Sequence, residues 1–416
     1  MSDFGQDCDP AAPYAAALSG LPKMGPATLF SLLSRSSPDE VWRQVRSGEL
    51  RGPEDAGGAA ERSGQLAWGL SEGAHGSRPA SRTRSSRASA TWSEIARRLD
   101  PPTWWERAAG RAIGVTWAGQ DTWPAALAGD PHPPGVLFWR GSIGCLGRPC
   151  VAIVGTRSAT PDGRAVAFEM GRDLSAAGVC VVSGLALGID GAAHAGALSA
   201  VGHSDGAGPV GVAASGVDVP YPRQHADLWR RVASAGAILS ETLPGRPAEA
   251  WRFPARNRVI AGLVRMVVIV ESHSKGGSLI TAEAAIDRGL DVRVVPGPVH
   301  SPASAGSNQL LYDGAGPVRS ARDVLDGLGI LLPDPAGSGS GATGGPTVRA
   351  GDLDPAGLAV LAAIGWRPAS LNQIMERSGV CAGDAAKALQ KLEATGLASL
   401  TGGWWARTSR SFARGR

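Results

Sequence analysis

Lysine is almost absent from these 416 residues: Lys23, Lys275, Lys387 and Lys391 are the whole set, and the rest of the 41 Lys+Arg are arginine. With 37 Asp+Glu the formal charge is only +4, so the chain as a whole is no polycation. Such an arginine bias follows either from GC-rich coding, which the alanine and glycine load fits, or from phosphate binding, where guanidinium grips two oxygens at once. Cysteine is scarce too. Cys8, Cys145, Cys150, Cys180 and Cys381 form no C-x-x-C and have no histidine at ligand spacing, which argues against zinc and a disulfide framework and leaves them as buried or idle thiols. The longest apolar stretch, Val259 to Val270, is interrupted by Arg265 and falls short of the roughly 18 apolar residues a spanning helix needs. No membrane segment is expected. Met1 to Pro10, MSDFGQDCDP, has no basic n-region ahead of an apolar core, so no secretory signal is expected and the predicted location is the cytoplasm.

Several catalytic motifs are missing as well. There is no G-x-x-x-x-G-K-[ST], no H-E-x-x-H and no clean G-x-G-x-x-G after the first strand of the central domain, the signatures of ATP, zinc and NAD chemistry. The expectation is a protein with no catalytic residues, no metal and no cofactor. What is present is ordinary globular material: 43% hydrophobic and 19% charged residues can bury cores, and the length predicts two or three domains.

The organisation predicted along the chain has six parts. Residues 1–72 form a helical module, with LSGLPKMGPATLFSLL placing a Gly-centred turn between two helical patterns and SSPDEVWRQV starting a helix behind an N-cap serine. Residues 73–93 are an Arg/Ser-rich insertion with Arg78, Arg82, Arg84 and Arg87 and no acid among them, too biased to fill a core. It reads as a solvated linker or as a non-specific attractor of nucleic acid. Residues 94–332 are an α/β domain with its core at 151–332, where VAIV (151–154), VCVV (179–182), VGVAA (210–214), AILS (237–240), MVVIV (266–270) and VRVV (292–295) alternate with helical segments. Nearly continuous apolar strands of this kind belong to a mostly parallel, Rossmann-like sheet flanked by helices. A Gly/Ser/Pro linker (333–352), three helical patterns with a hairpin turning at Gly402-Gly403 (353–408) and a basic tail (409–416) complete the chain. Three helices and a wing predict a winged helix. Its third helix sets Asp384 and Glu393 against Lys387 and Lys391, a balanced face suited to docking a protein as well as to reading DNA.

In open α/β sheets ligands bind beyond the carboxyl ends of the strands. The loops there are GTRSATPDG (155–163), SGLALGIDGAAH (183–194), ASGVDVPYP (214–222) and ESHSKGGSLITAEA (271–284). Small residues before a helix start leave backbone N–H groups open to an anionic oxygen, so the row reads as a phosphate-binding edge. Arg157, directly after the first strand of the core, either contacts phosphate or pairs with a carboxylate such as Asp162. Lys275 stands beside Gly276-Gly277-Ser278, as a phosphate contact or a solvated tip. In WRFPARNRVIAGL (251–263) Arg252, Arg256 and Arg258 need a partner, which is nucleic acid or the carboxylates Glu241 and Glu271. Trp251, Phe253, Tyr221 and Trp229 offer faces for unpaired bases or fill the core.

These loops, in this order, resemble the DprA/Smf family of bacterial DNA-processing proteins. The similar runs are AIVGTRSAT (152–160), VSGLALGID…AAH (182–194), SGVDVPYP (215–222), ILSE (238–241), FPARNRVIAGL (253–263), VVIVE (267–271), GGSLITAEAA (276–285), VVPGPV (294–299) and GSNQLLYDGA (306–315), preceded by WPAALAGDPHPPGVLFWRGSI (123–143). LPKMGPATL is similar to a helix–hairpin–helix. The chain departs at Gly276 within the usual SGS, at Ala214 before SGVD, and at Leu187, where the family's LAKGID has lysine.

The resemblance implies a non-catalytic protein that binds single-stranded DNA and hands it to the RecA recombinase, in DNA uptake (natural transformation) or recombination, as a homodimer formed through the Rossmann-like domain. It implies a DNA pocket in which Arg157, after Gly155, contacts phosphate and Ser183, Gly184 and Gly188 form the wall. Arg256, Asn257 and Arg258 would line or brace that pocket, and Lys275, Gly277 and Ser278 would close its far side. Two other readings stand beside it. One is a nucleotide-processing enzyme similar to nucleoside monophosphate hydrolases, whose PGGxGTxxE glutamate has no counterpart in PGPVHSPASAG (296–306). The other is a DNA-binding regulator acting through the winged helix.

Overall fold

The computed structural model describes residues 9–52, 91–109, 113–202, 206–330, 353–364, 369–395, 397–401 and 404–407. The chain divides into two compact units, 1–332 and 333–416. The stretch 73–90 of the Arg/Ser-rich segment, the linker 333–352, the tail 409–416, Cys8 and the Gly402-Gly403 turn lie outside the described residues.

The first unit is built on a nine-stranded sheet. In chain order the strands are β1 (Gly114–Trp117), β2 (Val136–Gly141), β3 (Cys150–Val154), β4 (Cys180–Ser183), β5 (Val210–Val212), β6 (Ala237–Ser240), β7 (Met266–Ile269), β8 (Asp291–Val294) and β9 (Gly316–Pro317). Their spatial order is β1-β2-β6-β5-β4-β3-β7-β8-β9. All neighbours from β6 to β9 are parallel, while β1 and β2 add an antiparallel pair at the β6 end. The six expected core strands are present, with ends shifted by a residue or two. β1 and β2 were not anticipated: GVTW is short, and VLFWRG is fully buried for only half its length before the exposed Arg140.

Side chains alternate across the sheet, as the pleat requires. Val151 and Ile153 pack with Ala167, Met170 and Leu174 of the helix Pro161–Ala176 and with Ile189, Ala193 and Ala197 of the helix Ile189–Ala200. Ala152 and Val154 face the other way, onto Val259 and Ile260 of the helix Arg252–Gly262 and Ala282 and Ala285 of the helix Gly277–Ile286. The N-terminal helices Ala12–Ser19, Pro26–Leu33 and Pro38–Ser47 share a core with Trp117, Phe138, Trp229 and Ile238. They are therefore continuous with the sheet through its antiparallel end. Ser37 sits at the N-cap of the third of these helices with extended backbone, but its side chain makes no capping bond.

In the second unit the helices Pro355–Ile364, Leu371–Ser378 and Ala382–Ala394 are followed by β10 (Ala398–Thr401) and β11 (Trp404–Arg407), paired antiparallel. Ser370 and Gln373 close a capping box on the middle helix, the reciprocal arrangement that satisfies two otherwise unpaired amides. Val360, Leu361, Ile364, Ile374, Leu389 and Leu392 make the core, and Ala369 bridges to Trp405. This is a winged helix. Lys387 pairs with Asp384 at 3.8 Å on the exposed face of its third helix.

Candidate nucleic-acid interface

The parallel order reverses at β3. From there the chain builds β4, β5 and β6 on one side, then crosses to β7, β8 and β9 on the other. This switch point between β3 and β7 opens a crevice at the carboxyl ends of the strands, and the glycine-rich loops meet there. Their mutual placement is set by carboxylates that the strand pattern did not single out. Glu271, just past β7, is buried and accepts hydrogen bonds from the Thr160 amide (2.9 Å) and hydroxyl (2.6 Å), while its carbonyl receives the Thr156 amide at 2.7 Å. His273 Nδ1 lies 3.1 Å from Thr156 Oγ1. The loops after β3 and β7 are thus tied together at both levels.

Asp190 does the same work for the β4 loop, accepting from the Gly184 amide at 3.1 Å and the Ala186 amide at 3.4 Å. Burial pushes its carboxyl pKa up, with the Arg256 charge and these amides opposing. Arg256 is the buried cation of the site. Its guanidinium donates to the carbonyls of Gly184 and Val212 and to Asn257 Oδ1, and burial lowers its pKa to about 10, with Asp190 pulling the other way. A Cβ at position 184 would come within 2.6 Å of that guanidinium, and at 188, where φ is +79°, within 2.3 Å of the Thr156 carbonyl. Glycine is required at 188, and at 184 any side chain would have to displace the Arg256 guanidinium. Gly155 is similarly enclosed, by Ile189 and the Glu271 carbonyl.

The predicted site residues consequently fall into two groups. Ser183 is fully buried and donates to the Ile153 carbonyl at 2.6 Å, and Ser278 is buried against Ser272 Oγ at 2.9 Å. Asn257 donates to the Gly277 carbonyl, at 3.1 Å. Arg258 grips Glu241 with one nitrogen (2.5 and 2.6 Å to the two oxygens) and the His132 carbonyl with another; burial raises the Glu241 pKa against the pull of Arg258. These side chains, with Arg256, brace the crevice from beneath. Of the two carboxylates offered as partners for the arginine-rich helix, Glu241 takes Arg258 and Glu271 binds Thr160.

Arg157, Lys275 and Gly277 are exposed. The Arg157 guanidinium lies over the Phe253 ring, 4.8 Å from its centroid, and Phe253 in turn meets Tyr221 at 5.5 Å with the rings tilted by 56°. No ion pair between Arg157 and Asp162 is found among the described residues. Tyr221 is 43% and Trp251 65% exposed, and Arg252 stacks on Trp251 at 4.9 Å. Trp229 belongs to the core and donates to the Val217 carbonyl. The open edge therefore presents cations and aromatic faces together, the combination that can hold phosphate on one side and an unstacked base on the other. Leu187 is 38% exposed on the same edge, where Gly188 presses against the backbone of Thr156 and Arg157.

The fold defines a class first: a Rossmann-like sheet with an anion-suited switch point, on a chain that also carries a winged helix. The comparisons narrow it. Residues 114–329 match the family model of DNA recombination-mediator protein A, and 345–403 match the DprA winged helix domain. DNA processing protein DprA of Bacillus subtilis is 39% identical over 198 residues, 47% of this chain and 65% of that protein, so the match spans just under two thirds of the relative. Protein Smf of Synechocystis is 34% identical over 305 residues, covering 67% of this chain and 75% of its own. The X-ray structure of DNA processing protein A from Streptococcus pneumoniae aligns with a TM-score of 0.57 at 27% identity, over 75% of this chain and 95% of that one. The chain belongs to the DprA/Smf family of DNA-processing proteins.

Among the described residues no group of three or more His, Cys, Asp and Glu side chains is placed to hold a metal ion. Among them, too, no helix is long and apolar enough to cross a membrane.

Proposed function

We propose that the switch-point edge binds single-stranded DNA and that the chain delivers this DNA to the RecA recombinase, with no bond-making step of its own. The observation that carries the binding reading is the exposed Arg157 and Tyr221 set against the half-buried Phe253 ring. A charge-assisted contact to phosphate from Arg157, with Lys275 on the adjoining loop, supplies sequence-independent attraction, and the rings favour bases free of a duplex. Arg256, Asn257, Arg258, Ser183 and Ser278 hold the loops in the shape that allows it. Family membership supports the handover to RecA and a homodimer through the Rossmann-like domain. In this reading 1–72 and 94–332 serve as one DNA-binding body, in keeping with their shared core, and 353–408 is a separate domain.

The test is anisotropy with random-sequence oligonucleotides, single- and double-stranded, over a salt series. Preference for single strands and steep weakening with salt is the expected result; equal affinity for duplex at moderate salt refutes the binding reading. Handover is tested separately, by RecA filament growth on single strands coated with single-strand-binding protein. Acceleration supports it, and an unchanged lag refutes it while leaving the binding reading intact.

A further inference from the structure

Leu185, fully buried in the loop after β4, has a φ of +59°, in the left-handed region that a bulky L side chain seldom enters. Such a conformation persists only where its surroundings over-determine it. Here they do. The Asp190 carboxylate takes the amides on either side, those of Gly184 and Ala186. The leucine side chain packs over Gly211 of β5, where an added Cβ would come within 2.7 Å of it. Finally, the Leu185 carbonyl meets His225 Nδ1 at 3.0 Å, and because a carbonyl only accepts, Nδ1 carries the proton.

His225 belongs to a different connection. It ends the 3₁₀ turn Arg223–His225 ahead of the helix Ala226–Ala235, shortly after Tyr221, whose ring meets Phe253. Its amide bonds to the Pro222 carbonyl at 2.9 Å. The half-buried ring rests on the first turn of the helix Ile189–Ala200, at Gly191, where a Cβ would fall 2.5 Å from the imidazole Cε1. Glycine at 191 leaves the ring its seat.

We propose that His225 is a positioning residue for the DNA edge: its Nδ1–H holds the Leu185 carbonyl, keeps the β4 loop in its left-handed turn, and fixes the wall at Gly184 and Gly188 relative to Tyr221. The proposal rests on the reading of that edge as a single-strand site and adds to it the device that sets its shape. His225 acts through Leu185 and touches no DNA. Without the bond, Leu185 relaxes toward the ordinary negative φ, which swings its carbonyl and the Ala186 amide that follows away from their partners.

The test compares His225→Ala, His225→Asn and His225→Gln in the full chain, by hydrogen exchange of segment 183–190 without DNA and by anisotropy with a random-sequence single strand over a salt series. Asparagine places its amide nitrogen where Nδ1 stands and glutamine one bond farther out, so only asparagine can restore the bond to Leu185. In the alanine and glutamine variants the Gly184 and Ala186 amides should exchange faster, and single-strand affinity should fall about three- to tenfold, the worth of one hydrogen bond. The asparagine variant should stay close to the parent. The salt slope should be unchanged in all three, because no phosphate contact is lost. A reduced salt slope would make His225 a direct phosphate contact and overturn the proposal. Unchanged affinity beside faster exchange, unchanged exchange beside weaker binding, or equal losses in the asparagine and glutamine variants would each overturn it as well. If the alanine variant does not fold, the asparagine–glutamine contrast decides. A parent that binds no single strand is instead a failure of the binding reading, told apart because the exchange rates are measured without DNA.

Discussion

His194 gives the sharpest quantitative expectation. It is fully buried in the helix Ile189–Ala200, directly behind the β4 loop, and neither ring nitrogen makes a well-aligned hydrogen bond. Burial drives its pKa from 6.5 to about 3; His225 and Arg256 add to the depression, and the Ser183 backbone opposes it. The unfolded chain takes up this proton below pH 6.5, whereas the native state refuses it until about pH 3. Stability tied to the group is therefore complete above pH 6.5 and drains away as the pH falls between those values. The slope there is about 1.4 kcal/mol per pH unit, so at pH 5 the loss is about 2 kcal/mol. Asp190 and Glu241, with raised pKa values, act with the opposite sign and only where carboxyls titrate, so a variant-minus-parent difference isolates the histidine. The perturbation is His194→Leu, with His194→Gln as a polar control. The assay is denaturant-dependent hydrogen exchange of the β4 amides from pH 7 to pH 4.5. The opening free energy of the parent should fall faster than that of either variant, the gap changing by about 2 kcal/mol between pH 7 and pH 5. Parallel curves would refute the argument and show that the ring is protonated, or solvated, in the native state.

Three further outcomes follow from the site and its supports. Arg157→Ala should weaken single-strand binding about tenfold or more, since a charge-assisted contact is worth roughly 1.5–3 kcal/mol, and should reduce the salt slope by about 0.7. Its thermal midpoint should shift by a few degrees at most; unchanged affinity would place the binding edge elsewhere. Leu187→Lys adds a cation beside the Arg157 backbone and should tighten binding severalfold at low salt, an effect that vanishes at high salt; no gain would mean the strand does not pass over the β4 loop. Asp130→Ala breaks the buried bidentate pair with Arg288 (2.8 and 2.9 Å) and should cost about 3–5 kcal/mol, measured by chemical denaturation, with DNA affinity of the folded fraction unchanged.

Much of the fold could be read from the chain because strands buried on both faces leave continuous apolar runs. MVVI and CVAIV need no partner to be recognised. GVTW and VLFWRG do, since half of each is accommodated by the N-terminal helices, and their identity as strands depends on contacts far away in sequence. The glycine loops were legible as loops because small residues cluster there, and Gly188, at φ +79°, answers in part to local backbone geometry; the constraint on Gly184 comes from Arg256, far along the chain. What separates Arg157 from Arg256 was not. Both are arginines in loops or helix starts at the same edge, and only the third dimension shows one lying across an open ring while the other is clasped by carbonyls. The pairing of Cys150 with Cys180 in register was equally hidden, because register between parallel strands is set by the crossover helix and leaves no spacing rule in the sequence.

The two ends of the sheet are also instructive. β9 is only Gly316–Pro317, and Pro317 brings no amide hydrogen; β1, four residues long, packs against the helix Ala12–Ser19. Neither border offers the long row of open peptide groups that another strand would need. Among the described residues, the nine-stranded sheet therefore has no long open edge along which a second copy of this chain could extend it. A second molecule meeting this unit would meet side chains on its helices and loops, where exchanging a few surface residues changes the contact without touching the strands within.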